Sequence, residues 1–257
     1  MMLGLEGVLY VATGDFHLGE AIDNAAASRS FLADRPIILV TDQVDRAQST
    51  EVFDWVCPHP DPIGGYRDKI LPLDQLPFRR TLYLDSDARL IAPVDFLFAA
   101  MGKAHLAAAH APVRIPSGWS DARVPELFPE LNSGVLILRR CRLQRRLIKE
   151  WLLLYDQLFE KHGQAWDQAS LRSVVWKLIQ RRNLRLALLP PEANLRTTKP
   201  WVAGKGLPVH VVHGRVPEEE REVLLEYLND DYGRFRTWAD WNDRYPDTGL
   251  KLRIGEG

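Results

Sequence analysis

The chain has 257 residues, 46% of them hydrophobic and 26% charged, a globular composition with room for one large α/β domain or two small ones. Lys and Arg number 33 against 34 Asp and Glu, so the net charge of -1 demands no polyanionic partner, and nucleic acid is not expected. The N-terminus lacks a charged region followed by a long apolar one, and no stretch approaches a bilayer span, so neither a signal peptide nor a membrane helix is expected and the simplest setting is cytoplasmic.

In chain order, residues 8–12 are an apolar run that predicts a first strand, followed by Thr13, Gly14 and Asp15. Helical periodicity spans 18–32, with Ala25, Ala26 and Ala27 favouring helix, and after Pro36 residues 37–40 read as a second strand. This β-α-β opening predicts a doubly wound sheet. Such sheets take nucleotides at the turn after the first strand, but neither Gly-x-Gly-x-x-Gly nor a Walker A loop is present. Thr13 and Asp15 are candidates to hold a base or ribose, with Asp15 equally placed to cap the helix. Residues 52–56 suggest a weaker strand, 58–65 a Pro- and Gly-rich loop, and 66–76 a helix carrying Arg67 and Lys69. Those two cations are expected either in solvent or on a phosphate. Cys57 and Cys141 have no metal-ligand spacing and read as packing residues.

The most informative stretch is 79–93. Thr81, Leu82, Tyr83 and Leu84 form a short strand-like run that ends in Asp85 and Asp87, with small Ser86 between them. In extended chain, residues i and i+2 point to the same side, so both carboxylates can share a hard divalent cation at the carboxyl end of a sheet. Two anions this close repel unless a cation lies between them. The competing expectation is an ordinary Asp-rich turn.

Downstream, 93–101 predicts a short helix, 104–110 a strand and 113–130 a long loop. Leu131-Asn132-Ser133-Gly134 reads as a turn feeding a buried strand over 135–138. A basic run from Arg139 to Arg146 opens a helix to about residue 160, expected to be a solvated face, with weak peripheral contact to an anionic membrane as the lesser alternative. Trp166-Asp167-Gln168 opens a helix to about 182, with Asp167 a candidate N-cap. Residues 184–189 and 209–212 read as strands, the second ending in His213-Gly214. Pro217 and three glutamates start a helix to about 229, followed by an aromatic tail with Phe235, Trp238, Trp241 and Tyr245.

The order of these motifs carries a resemblance. Leu-Tyr-Leu-Asp-Ser-Asp at 82–87 resembles the Asp-x-Asp motif of GT-A glycosyltransferases, and Phe-Pro-Glu-Leu-Asn-Ser-Gly-Val at 128–135 resembles the Asn-Ser-Gly-Val segment of the glycogenin-like family 8 enzymes. Trp166-Asp167-Gln168 is similar to their Asp-Gln segment, and His213-Gly214 to the late His of their metal site. The resemblance spans roughly residues 8 to 215. It implies an α/β, GT-A (Rossmann-like) fold: a mostly parallel mixed sheet flanked by helices in a single domain. Residues 1–215 would bind nucleotide-sugar and catalyse, and 216–257 would be an appendage.

The resemblance also implies roles. Asp85, Asp87 and His213 would hold Mn2+ or Mg2+, with the imidazole favouring Mn2+. His210 is a rival ligand that strand alternation puts on the opposite face from His213. Thr13 and Asp15 would lie near base and ribose, and Arg67 and Lys69 near the diphosphate. Asn132 and Asp167 would contact sugar hydroxyls, and Gln168 would sit near the anomeric carbon. Ser86, Ser133, Gly134 and Arg215 would complete the donor site. The expected activity is transfer of a hexose, from a UDP-sugar foremost, to a glycan, lipid or protein acceptor. Retention is favoured, and Asp167 is the candidate base if the reaction inverts. The chain departs from family 8 where His213 is followed directly by Gly214-Arg215, and Lys199-Pro200-Trp201 precedes the His rather than following it. That leaves the family within the GT-A superfamily open. Two alternatives stand beside it: a haloacid-dehalogenase-type phosphatase, disfavoured by Arg89 where Thr or Val is usual, and a binding domain without turnover.

Overall fold

The computed structural model describes residues 4–111, 121–199, 202–203, 207–215 and 228–229. The first strand, β1 (Gly4–Ala12), is buried on both faces from Gly7 onward, as an unbroken apolar run requires of a central parallel strand. Its residues alternate between two cores. Val8, Tyr10 and Ala12 face one cluster, and Leu9 and Val11 face the other.

The chain leaves β1 through α1 (Asp15–Ser28), which one 3-10 turn extends to Phe31, and returns as β2 (Ile37–Thr41) parallel to β1. A short α2 (Val44–Gln48) leads to the edge strand β3 (Trp55–Pro58), three residues later than the sequence suggests. Cys57 on that edge is exposed, not packed. The helix expected over 66–76 divides into α3 (Tyr66–Ile70) and a 3-10 turn (Leu71–Gln75), because Pro72 supplies no backbone N–H for a continuous α-helix.

The central strand β4 (Phe78–Leu84) pairs parallel with β1 on one side. After it come β5 (Ala88–Leu90), α4 (Asp95–Met101) and β6 (Leu106–His110). The turn expected at 131–134 is a correction: these residues belong to β7 (Leu131–Arg139), which runs antiparallel to both β4 and β6. Helix α5 (Arg142–His162) keeps Arg142, Arg145 and Arg146 in solvent, and its N-cap is Cys141, whose Sγ accepts from Gln144 N at 3.3 Å. Helix α6 (Asp167–Arg182) follows, then β8 (Leu186–Leu189) beside β6, the two-residue β9 (Leu195–Arg196) and β10 (Val211–His213).

Among the described residues there are two sheets. The larger has the order β3-β2-β1-β4-β7-β6-β8, and the smaller β5-β10-β9. Helices α1 and α4 cover one face of the larger sheet and α5 and α6 the other, each with its own apolar cluster. The antiparallel β7 brings its own N-terminal end to the edge where β4 ends, since Leu84 pairs with Val135. That single reversal places Asn132, Ser133 and Gly134 beside Asp85.

Of the loop expected over 113–130, residues 121–130 contain neither helix nor strand and the part before 121 lies outside the described residues. So does the C-terminal appendage, apart from 228–229. Among the described residues, no helix is long and apolar enough to cross a membrane.

Packing between β1 and β4 leaves no room at Gly7, where an added Cβ would run into the fully buried Phe78 ring. Gly7→Ala should therefore destabilise the protein by about 1–3 kcal/mol in denaturant unfolding. An unchanged midpoint would contradict this packing.

Candidate active site

Strand β4 stops at Leu84 because the chain turns: Ala88 N donates to Asp85 O at 3.0 Å, closing a tight turn over Asp85, Ser86, Asp87 and Ala88. The Asp-rich turn is present, and it is compatible with a shared cation site. It points both carboxylates at one place. Strand β10 of the smaller sheet brings His213 to the same place, paired with Ala88. Its Nε2 lies 3.3 Å from Asp87 Oδ1 and 3.7 Å from Asp85 Oδ2. One ligand atom from each of the three residues fits within 4.8 Å of the others. His210 faces away, against the Phe96 ring, as alternation along the strand requires.

Three features show that this cluster is built rather than accidental. First, Gly134 packs against it: an added Cβ would meet the His213 ring and come 2.7 Å from Asp85 Oδ2. Second, the imidazole is oriented from behind. Asn132 Oδ1 accepts from Asn194 Nδ2 at 2.9 Å, and Asn194 Oδ1 then accepts from His213 Nδ1 at 2.8 Å. That leaves Nε2 as the ring nitrogen facing the two acids, the arrangement by which a second layer of groups aims a metal-binding histidine. Third, Gly214 has φ of 124, a conformation open to glycine, and its N–H donates to Asp87 O at 2.9 Å. Two carboxylates and one imidazole suit Mn2+ better than an all-oxygen ion such as Mg2+.

Behind the acids lies Lys69. Its Nζ sits 3.2 Å from Asp85 Oδ2, 3.3 Å from Asp167 Oδ2 and 3.0 Å from Ser133 Oγ. Burial works against its charge, but Asp167 and Asp85 outweigh burial and hold the ammonium above its ordinary range. Asp167 is fully buried at the first position of α6, with Trp166 as the N-cap residue, so the expected N-cap role is corrected. Burial raises its pKa, while Lys69 opposes the rise. Tyr83 donates to Asp85 Oδ1 at 2.5 Å, and burial together with that acid keeps the phenol protonated. Burial would raise Asp87 too, but His213, Arg196 and Arg215 hold it well below the usual carboxylate range.

These groups line an open cavity of about 510 Å3. Thr13, Lys69, Asp85, Ser86, Asp87, Asn132, Ser133, Gly134, Asp167, Gln168, His213 and Arg215 all reach it, and Asp15 and Arg67 do not. Asp15 points into solvent and pairs with Arg46 at 2.8 Å. Arg67 is turned to Asp61 and Asp156, at 3.1 and 3.0 Å. Half a helical turn is enough to separate Arg67 from Lys69, since residues two apart do not share a helix face.

Thr13 arrives already engaged, donating to the buried Asp68 at 2.7 Å. That carboxylate also accepts from Ile63 N and Gly64 N, both at 3.0 Å, and so ties the 58–65 loop to the end of β1. Arg215 is held by Glu20 at 2.6 Å. Sequence reasoning missed Tyr83, Asn194, Arg196 and the Tyr66–Trp166 pair, whose rings lie 5.3 Å apart at the cavity. Tyr83 was findable, because it alternates onto the same side as Asp85. The other residues come together only through the small sheet and the start of α6.

No protein-family model matches the chain, and no curated protein matches it in sequence. Its fold is similar to that of several solved structures. Mouse xyloside xylosyltransferase 1 in its apo form shares 15% identity over 83% of this chain and 98% of that one, with a TM-score of 0.50. The galactosyltransferase LgtC, in complex with donor and acceptor sugar analogues, shares 13% identity over 91% of this chain and all of that one, with a TM-score of 0.55. The glycosyltransferase GlyE of Streptococcus pneumoniae TIGR4 shares 16% identity over 98% of this chain, with a TM-score of 0.56, and the chain spans 66% of its length.

The Asn194 relay makes a specific demand. Asn194→Ala should weaken Mn2+ binding, followed by the loss of the free-ion paramagnetic signal, about 10–100-fold. Equal affinity in the variant would remove the relay from the site. The mixed sheet, the small second sheet and the acid pair at their junction give this chain the GT-A fold of glycosyltransferases.

Proposed function

We propose that the protein is a metal-dependent glycosyltransferase that moves a hexose from a nucleotide diphosphate sugar to a hydroxyl of an acceptor. The observation that supports this most is the convergence of Asp85, Asp87 and His213 on one point of the cavity wall, on a GT-A scaffold. These three residues would hold a divalent cation, Mn2+ foremost, which when bound supplies Lewis-acid neutralisation of the departing diphosphate.

In the transfer, the bond between the anomeric carbon and the β-phosphate oxygen breaks and its electron pair stays on the diphosphate. The acceptor oxygen forms the new bond to the anomeric carbon, and its proton passes to an oxygen of the leaving phosphate. The chain's own contribution is positioning and charge. Lys69 pairs with both Asp85 and Asp167, and His213 lies against Asp87, so the acids that would face the cation are fixed in place. Asp167 is engaged by Lys69 in the wall and so is poorly placed as a base, which favours retention with Gln168 lining the cavity nearby. A UDP-sugar is the favoured donor and a glycan the favoured acceptor.

The geometry does not favour the phosphatase alternative. Both oxygens of Asp85 accept from Lys69, and Oδ1 also accepts from Tyr83, a poor setting for a nucleophile.

Incubation with Mn2+ and a panel of nucleotide sugars should release nucleoside diphosphate from at least one of them and raise the melting temperature. Asp87→Ala should fold normally and lose both responses. Phosphate release from simple monoesters, with no response to any nucleotide sugar, would overturn the proposal.

A further inference from the structure

The charged side chains around the cavity fall into answered and unanswered groups. Lys69 is matched by Asp85 and Asp167, and Arg215 by Glu20. Asp68 accepts three hydrogen bonds from Thr13, Ile63 and Gly64. Arg196 alone among these cations has no carboxylate within ion-pair distance among the described residues. Its Nε is buried, and no hydrogen-bond partner reaches it. A buried guanidinium N–H left without an acceptor is costly, of the order of 1–3 kcal/mol, so such a group points to a ligand that completes it.

The position of Arg196 says which ligand. Strand β9 pairs parallel with β10, and Arg196 is registered opposite His213, so the two side chains leave the small sheet on one side. Arg196 lines the cavity together with Asp87 and Tyr66. It therefore stands beside the cation site but is not one of its ligands. A cation there attracts an anion that also approaches His213 and Asp87. A planar fork of N–H donors suits two oxygens of one phosphate.

We infer that Arg196 is the diphosphate-recognising residue of this site, donating from its guanidinium, the unpartnered Nε–H included, to the β-phosphate of a bound nucleoside diphosphate. This rests on the transferase proposal and deepens it, because it names the group that tells a diphosphate from a monophosphate. The guanidinium stays protonated throughout. It holds the β-phosphate in the donor complex and keeps hydrogen-bonding to it as negative charge grows there.

The test is equilibrium binding by calorimetry in Mn2+, on the full chain. UDP, GDP, ADP and dTDP are measured first, followed by the monophosphate of whichever base binds. The wild type should prefer the diphosphate. In Arg196→Gln the diphosphate should weaken about 10–100-fold while the monophosphate changes less than about threefold, the loss of one charge-assisted contact. Arg196→Lys should recover part of the difference. Thermal unfolding of each variant reports on folding independently. Undiminished diphosphate binding by Arg196→Gln overturns the inference and leaves the transferase proposal standing. Equal weakening of monophosphate and diphosphate also overturns it, since the residue would then support the site in general. Absence of binding by the wild type to every diphosphate overturns both.

Discussion

Everything at the cavity depends on holding several carboxylates together at the end of one buried strand. Asp85, Asp87 and Asp167 would drive one another apart, or take up protons, if nothing opposed them. Lys69 opposes them from within the wall, with its ammonium between Asp85 and Asp167 and Ser133 as a third partner. A buried ion pair of this kind contributes little net stability, because desolvation offsets attraction. Its effect is to fix where Asp85 and Asp167 point.

The second requirement is close approach between two sheets. His213 belongs to the small sheet and the acids to the end of the large one, and the two meet over Gly134. A side chain at 134 would occupy the space of the imidazole, so Gly134 provides the clearance the two sheets need. Asn132 is likewise turned partly inward. Its side-chain oxygen accepts from Gly134 N at 3.0 Å and from Asn194, and through Asn194 it orients the His213 ring. A residue expected on the sugar thus also holds the imidazole in place.

The remaining wall shows the same economy of backbone ties. Asp68 closes the 58–65 loop against Thr13, and Glu20 gathers Arg215, Ser86 and His17 at the start of α1. These contacts bring segments distant in sequence to one rim. Arg196 is the exception, a cation at the rim whose buried Nε has no hydrogen-bond partner among the described residues.

The local sequence by itself determined the elements around β4 and the acid pair at its end. Unbroken apolar runs marked β1, β2, β4, β6 and β7, because strands covered on both faces need no alternation. Asp85 and Asp87 were legible because a strand that ends in two acids leaves them no apolar place to go, and His213 was legible against His210 because side chains alternate along a strand. What only the tertiary structure decided is which of the named residues share the cavity. Arg67 and Lys69 look equivalent in sequence, yet half a helical turn sends one to Asp156 and the other under Asp85. Asp167 looked like a cap and is a buried counter-ion. Asn194 and Arg196 carried no local signal, because their roles arise from β9 pairing with β10. Pairings between strands far apart in the chain depend on how the whole core closes, and no short window of residues contains that information.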